Sequence, residues 1–408
     1  MLQVAKSKRV VTPEGSVPIA GHAMRTSPST GVHDQLETHV LLLDLEGTKC
    51  CFINADLIGV SFEFADRVKE AVERELGIAR DYTVFSVTHT HTGPYFGMAS
   101  HTEEMSEADI AYENYVFDQT MEAVREAAGQ FVPFETVKVR RGEVKGFYGN
   151  RNSLDKPGDE MVTLLEFRQG DKVVAAMVNI SCHSTVMNPL ETNLSADLLG
   201  NVRRELTPYL GVEPLMTNGN AGDISNRLYR HNNDFGELKR VTSGIAAHIA
   251  GFKEVGELSL TPVQSAHRVP FQVEYDTDKA GLQEALEKLE GQLETVTEFD
   301  ARKWLHSEIA GYKRKLNVDH VSIRLDSTVL RLGELELVIL PCELASAFGR
   351  QIKRSSNAKL CLVWGYANGK STYVVEASEF NGGHDGISTQ LKRGQAEEYV
   401  GKLIQGLF

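Results

Sequence analysis

The stretch YTVFSVTHTHTGP, residues 82–94, changes character half-way along. Its first half is β-branched and aromatic, the composition of a buried strand. Its second half is Thr, His and a Gly-Pro pair that cannot continue one. His89 and His91 therefore sit where a strand ends. In an open α/β sheet the carboxyl ends of the strands face a shared crevice in which ligands bind. In extended backbone, residues i and i+2 point to the same side, so the pair can face that crevice together. Thr88, Thr90 and Thr92 also offer local hydrogen-bond partners, and from this segment alone a plain polar loop remains an open reading.

The rest of the chain repeats the pattern. Strand-like runs occupy residues 39–45 (HVLLLDL), 49–56 (KCCFINAD), 137–144 (VKVRRGEV), 161–167 (MVTLLEF) and 172–181 (KVVAAMVNIS). Apolar spacing predicts helices over 62–77 and 107–129. The expected fold is α/β, a mixed β-sheet core flanked by helices. Residues 277–316 carry many Glu and Lys at helical spacing and few turn signals. They predict a helical hairpin inserted between strands, either a solvated excursion or a cover over the mouth of the site. No linker, low-complexity tract or internal repeat stands out, so residues 1–408 are expected to form one domain. Polar residues follow several strands: Asp56 after KCCFIN, His183 after VVAAMVNIS, Glu343 after LELVILP and Asn368 after LCLVWGYA.

Composition narrows the function classes. A net charge of -13, with no run of Lys and Arg interleaved with aromatics, argues against nucleic acid as a partner. The longest apolar runs, at residues 40–43 and 337–341, are too short to span a bilayer. The N-terminus has no apolar signal core. The expectation is a cytoplasmic protein without membrane insertion, acting on a small-molecule substrate, and its size and apolar content are compatible with a homo-oligomer. The five cysteines lack metal or redox spacing and read as reduced core residues.

Zinc takes His nitrogen and carboxylate oxygen, and catalytic sites keep one position open. His183 in NISCHST (179–185) supplies a further His at a strand end, with Ser195 expected to cap the next helix. The loop TNGNAGDISNR (217–227) reads either as a tight Asx-rich turn or as a substrate-contacting loop with Ser225 as a pocket hydroxyl. Glu343 reads as a carboxylate in the first turn of a helix, where the helix dipole favours one. Tyr373 reads as an ordinary strand residue.

Taken in order, HTHTGP (89–94), CHST (182–185), NAGDIS (220–225), PCEL (341–344) and ANGKSTY (367–373) resemble the motifs of the neutral/alkaline ceramidase catalytic domain. VTP (11–13), GVHD (31–34) and ADLIG (55–59) extend the likeness towards the start. The resemblance implies a ceramidase catalytic-domain-like fold and a Zn2+ cofactor held by His89, His183, Glu343 and Tyr373. It implies that His91 and Arg151, in GNRNS (149–153), face the substrate, and that Ser225 lies in the pocket without acting as nucleophile. Where the family has a second Tyr beyond the ligand Tyr, this chain has NGGHDG (381–386), so that His384 and Asp385 take its place. The signal peptide and C-terminal β-sandwich of secreted family members are not read in this chain. Both departures point away from ceramide and towards a soluble substrate.

The implied chemistry is hydrolysis of an amide C–N bond by a zinc-activated water, with His91 or His384 stabilising the oxyanion and protonating the leaving nitrogen. Arg151 would anchor a polar or anionic end of the substrate, and Asp34, Asp56 or Asp197 would orient a ligand His through its second nitrogen. Three other readings compete: a true ceramidase acting on N-acylsphingosine, a metal amidohydrolase of the TIM-barrel type, and a homologue that binds a small molecule without turning it over. A TIM barrel would need an eightfold βα rhythm that the sequence lacks. A serine hydrolase would need a nucleophile elbow that NAGDISN does not provide.

Overall fold

Three times along the chain an antiparallel hairpin is followed by a helix and then by a strand that returns parallel to the hairpin's second arm. The first unit is Glu37–Leu45, Thr48–Ala55, helix Phe62–Leu76 and Thr83–Val87. Met161–Gln169, Lys172–Ile180, helix Asp197–Leu210 and Leu215–Asn218 form the second. Ser327–Leu332, Leu335–Ile339, helix Ser346–Ser355 and Leu360–Trp364 form the third. An antiparallel strand opens each unit: Leu2–Val10, Thr136–Glu143 and Ser265–Val269 respectively. A second helix follows each: Glu107–Ala128, Phe235–Ala250 and Gln395–Gln405. The computed structural model describes residues 1–96, 105–380 and 382–407. Gly97, the last residue of GPYFG, and Asn381, the first of NGGHDG, lie outside them.

The repeat is one of element order and pairing, which explains why it leaves no trace as repeated sequence. Side chains alternate across each strand, and all three sheets turn one face to a common core. Leu41, Phe52 and Val84 of the first sheet meet Leu165, Phe167 and Met177 of the second and Leu337, Leu362 and Trp364 of the third. The opposite faces pack under the helices of their own unit. Strands buried on both faces read as near-continuous hydrophobic runs, as HVLLLDL and KVVAAMVNIS do. The helices show the complementary pattern. Phe62–Leu76 buries Phe64, Ala65, Val68, Ala71 and Val72, starts on a Ser61 side chain that accepts from the Phe64 N–H, and stops at Gly77 with φ 66°.

The predicted hairpin is present as helices Lys279–Thr295 and Phe299–Leu316. They pack through Leu286, Leu289, Leu305 and Ile309 and project from an antiparallel ribbon of Gln272–Asp276 and His320–Arg324. The sheets are open and mixed, and no eight-stranded parallel barrel exists among the described residues, which removes the TIM-barrel reading. No described helix is long and apolar enough to cross a membrane. All five cysteines are free and buried.

Two local expectations are corrected. Ser195 stands one residue before the N-cap of the helix Asp197–Leu210, which is Ala196 without a side-chain cap, and its hydroxyl oxygen accepts from the Asp197 N–H (3.0 Å). Asp34 arrives from a distant loop to take the Ala196 N–H (2.9 Å) and the Ser195 hydroxyl (2.5 Å), so long-range packing completes the helix start. Glu343 does not lie in a helical first turn. It belongs to the two-residue strand Glu343–Leu344, in register with Tyr373–Val374, and Glu343 pairs directly with Tyr373.

Candidate metal centre

The carboxyl ends of the three units close into a ring. The Ser184 hydroxyl donates to the Thr88 carbonyl (2.9 Å), joining the second unit to the first. The Gly365 N–H donates to the Asn218 carbonyl (2.9 Å), and the Val87 N–H to the Tyr366 carbonyl (3.2 Å), joining the third unit to the other two. A Cβ at Gly365 would stand 2.5 Å from the Gly219 carbonyl, so only glycine allows the approach. His89, Tyr366 and Asn368 have φ of 59°, 54° and 62° at this junction. Left-handed backbone costs a non-glycine residue about 1 kcal/mol, and such residues persist where surrounding packing holds them, often at functional sites.

Four polar groups meet inside the ring. His183 Nε2 lies 3.0 Å from Glu343 Oε2 and 3.3 Å from the Tyr373 hydroxyl. His89 Nε2 lies 3.4 Å from the same Glu343 oxygen. Ligands at zinc–ligand distances around a tetrahedral centre stand roughly 3.3 Å apart. His91 Nε2 joins them, 3.1 Å from His89 Nε2.

The second nitrogen of each ring is occupied by a backbone carbonyl: Ile58 for His89 (2.5 Å), Ala221 for His183 (2.7 Å) and Gly21 for His91 (2.9 Å). A carbonyl only accepts, so each Nδ1 carries the proton and each Nε2 presents a lone pair. Three imidazole lone pairs and a carboxylate thus converge, with the Tyr373 hydroxyl beside His183 and the Lys370 ammonium at the outer oxygen of Glu343, an arrangement suited to a cation. The chemistry of this donor set fits Zn2+. A Cβ on Gly21, at φ 101°, would lie 2.7 Å from His91, so that carbonyl reaches the ring only because residue 21 is glycine.

Burial pushes His183 down to about 4, with the Arg151 charge adding to the effect. Burial also holds His91 well below the usual histidine range, helped by its His89 and His22 neighbours. Both are therefore neutral at pH 7, as metal binding and proton acceptance require. Burial alone would raise Glu343, but His89, Lys370 and His183 outweigh it and hold the carboxyl well below its ordinary value. Burial drives the Tyr373 phenol well above its usual range.

The other expected residues fall at different depths. Arg151 donates from Nε to Asp385 (2.7 Å) and its guanidinium lies 5.4 Å from the Tyr373 ring centre. It is thus committed to a carboxylate of its own chain. His384 stands edge-on to Tyr373, 5.7 Å between ring centres, and its Nδ1 meets Glu308 of the inserted hairpin at 2.6 Å. The hairpin therefore reaches the site and is more than a solvated excursion. Ser225 is buried, accepts from the Arg227 N–H (3.1 Å), and makes no hydrogen bond to the metal-site side chains among the described residues.

None of the three aspartates orients a ligand histidine, because backbone carbonyls hold that position. Asp34 serves the helix start described above, Asp56 pairs with Arg203, and Asp197 accepts from the Val186 N–H (3.1 Å). Sequence reasoning missed His22, 5.2 Å from the His91 ring, Tyr366, 4.5 Å from the His89 ring, and Lys370, 3.7 Å from Glu343 Oε1. For Tyr366 and Lys370 a signal existed, since Tyr366 immediately precedes the ANGKSTY motif and Lys370 lies within it.

Asp223 holds this floor together. It accepts from Asn150 Nδ2 (2.9 Å), the Ser346 N–H (2.7 Å) and the Ser346 hydroxyl (2.8 Å). Replacing it by Ala leaves buried donors unpaired and is expected to cost about 2 kcal/mol or more by urea denaturation. Burial pushes its carboxyl up to about 6. A raised acid holds its proton more tightly when folded, so its contribution is complete below the unfolded value and is lost as pH rises through the folded one. Asp223→Asn is expected to flatten the fall in stability between about pH 4 and about 6, and an unchanged slope would contradict the assignment.

No protein-family model matches the sequence, and no curated protein does. Solved structures do match. A neutral ceramidase from Pseudomonas aeruginosa superposes with a TM-score of 0.75 over 99% of this chain and 74% of its own, at 17% identity. The fold is that of a neutral ceramidase. A second structure, a ceramidase complexed with C2, gives the same TM-score and coverage at 16% identity. At these identities the likeness concerns architecture. The neutral ceramidase fold accounts for the mixed sheets and flanking helices along nearly the whole chain, and it agrees with the family resemblance read from the ordered motifs.

Proposed function

We propose that the protein is a zinc-dependent hydrolase that cleaves the C–N amide bond of a soluble small molecule. The convergence of His89, His183, Glu343 and Tyr373, with each histidine's other nitrogen engaged by a carbonyl, carries this reading. A zinc ion at these side chains supplies Lewis acidity and lowers the pKa of a water from about 15.7 towards about 7. His91, half-buried and fixed through Nδ1 by Gly21, offers Nε2 to take a proton from the attacking water and return it to the leaving nitrogen. His384, whose Nδ1 donates to Glu308 beside Tyr373, would stabilise the developing oxyanion through Nε2–H as an imidazolium paired with that carboxylate. Asp385 fixes Arg151 against Tyr373, so that Arg151 positions the phenol. Lys156, Arg227 and Glu379, beside Trp304, line a cavity one layer outside these residues, and their charges favour a soluble substrate over a lipid.

The test is metal analysis of gently purified protein together with hydrolysis of soluble N-acyl amides and short-chain ceramides, before and after chelation. Near-stoichiometric zinc, with amide cleavage lost on chelation and restored by zinc, is the expected result. Zinc-independent cleavage would overturn the metal reading, and turnover confined to ceramides would overturn the substrate reading.

A further inference from the structure

One layer outside the candidate metal ligands lies a cavity of about 360 Å3 lined by Asn152, Lys156, Arg227, Trp304, Glu379 and Gly383, among others. Its inner wall is tied to the site through hydrogen bonds. Asn152 Nδ2 donates to Asp385 Oδ2 (2.8 Å), and Asp385 also holds Arg151. Gly383 is followed by His384, whose ring faces Tyr373. The volume lies within the range of small-molecule pockets.

The cations of this cavity are not equivalent. Lys156 is paired with Glu379 at 2.5 Å, which neutralises that carboxylate. Arg151, on the inner side, is committed to Asp385. The Arg227 guanidinium has no hydrogen-bond or ion-pair partner among the described residues, although its backbone is pinned by the Ser225 hydroxyl. A positioned Arg with an empty fork is the group best matched to a planar carboxylate, which it binds through two parallel N–H donors. Trp304, from the inserted hairpin, supplies a flat apolar surface to the same cavity. Leu228 and Leu154, next to or close to the lining residues in sequence, are 39% and 63% exposed. The lining thus offers one uncompensated positive charge beside an aromatic face.

We propose that this cavity is a carboxylate-recognising subsite, with Arg227 as the anchor and Trp304 as the platform for the apolar part of an anionic amide substrate. The proposal rests on the hydrolase reading above and narrows its substrate class. Because the Arg151–Asp385–His384 layer separates the cavity from the metal ligands, the carboxylate belongs several bonds away from the scissile carbonyl. Ser225, through the Arg227 N–H, is a positioning residue for the anchor.

The test uses ligands with no scissile bond, so that it stands whether or not amides are turned over. Binding of phenylbutyrate and of its neutral amide, phenylbutyramide, is measured by calorimetry on the full-length protein and followed through Trp304 fluorescence. Trp364, the only other Trp of the chain, is fully buried and serves as the internal reference. The wild-type protein is expected to bind the carboxylate at least tenfold tighter than the amide, by roughly the worth of a charged hydrogen bond. Arg227→Gln is expected to erase that difference and Arg227→Lys to restore part of it. An exposed side chain without partners can be replaced without unfolding the protein, and an unchanged melting temperature confirms this. Equal affinity for the two ligands in the wild type, or discrimination that survives Arg227→Gln, overturns the proposal. If amides of soluble acids are hydrolysed with no preference for a carboxylate, the subsite fails while the hydrolase reading stands. If phenylbutyrate binds through Arg227 but no amide is cleaved, the reverse holds.

Discussion

His183→Ala and Glu343→Gln are each expected to strip zinc from the protein and to lower kcat by on the order of a thousandfold or more. Both side chains are buried, at 0% and 4% exposure, and each contributes an atom to the central cluster. Loss of one donor leaves a set too poor to hold the ion at neutral pH. Glu343→Gln also exchanges an anionic donor for a neutral one beside two histidines and Lys370, removing the charge that offsets the metal. His91→Ala separates the roles: near-full zinc content is expected, with kcat lowered by about 100- to 10,000-fold, the usual worth of a proton-transfer group. Metal analysis beside kinetics reads both quantities. Full zinc occupancy and intact hydrolysis in His183→Ala would remove the metal centre as described, and zinc loss in His91→Ala would make His91 a ligand.

Arg203→Met is expected to destabilise the fold by about 3–5 kcal/mol. Arg203 is completely buried, projects from the helix Asp197–Leu210, and donates to Asp56 Oδ2 (2.6 Å) and Glu37 Oε2 (3.1 Å). Removing the cation abandons two buried carboxylates, which costs much more than the intact pair contributes. Lys in its place would bridge only one of them well, since the fork geometry is lost. Burial would raise Glu37, but the His39 hydrogen bond and the Arg203 charge outweigh it and hold the carboxyl well below its ordinary range. A depressed acid contributes stability that is complete above its unfolded value of about 4.3 and is lost as pH falls towards the folded one. The wild type should therefore lose stability on acidification below about pH 4, and Arg203→Met should lose less, having little of that contribution left. A urea midpoint in Arg203→Met equal to wild type would show that the trio is not structural.

Much of the fold was legible because the central strands are buried on both faces and announce themselves as apolar runs. The runs at residues 39–45 and 172–181 fall inside Glu37–Leu45 and, but for the last residue, Lys172–Ile180. The hairpin was legible from its helical periodicity. Its contact with the site through Glu308 was not, since one carboxylate among many Glu residues carries no local mark. His89, His183 and Glu343 were readable as strand-end residues, Tyr373 joined them only through the family resemblance, and the register of Glu343 against Tyr373 needed coordinates because two-residue strands have no periodicity. The aspartates failed as orienting groups for a related reason: an orienting carboxylate and a backbone carbonyl do the same work, and only the second is invisible in a list of side chains. The threefold order was hidden because the common core constrains where apolar residues stand and leaves their identities free.

The repetition bears on descent. The first unit brings His89 to the shared junction, the second brings His183, and the third brings Glu343 and Tyr373. No single unit holds enough donors to bind an ion. If the three units arose by duplication, the donors are not one position repeated: His89 follows the returning strand of its unit, whereas His183 and Glu343 follow the second arm of their hairpins. Imidazole, carboxylate and phenol would then have been recruited at different places of the repeat. Selection can likewise rebuild the connection preceding one hairpin, as the long insertion of the third unit illustrates, without touching its counterparts.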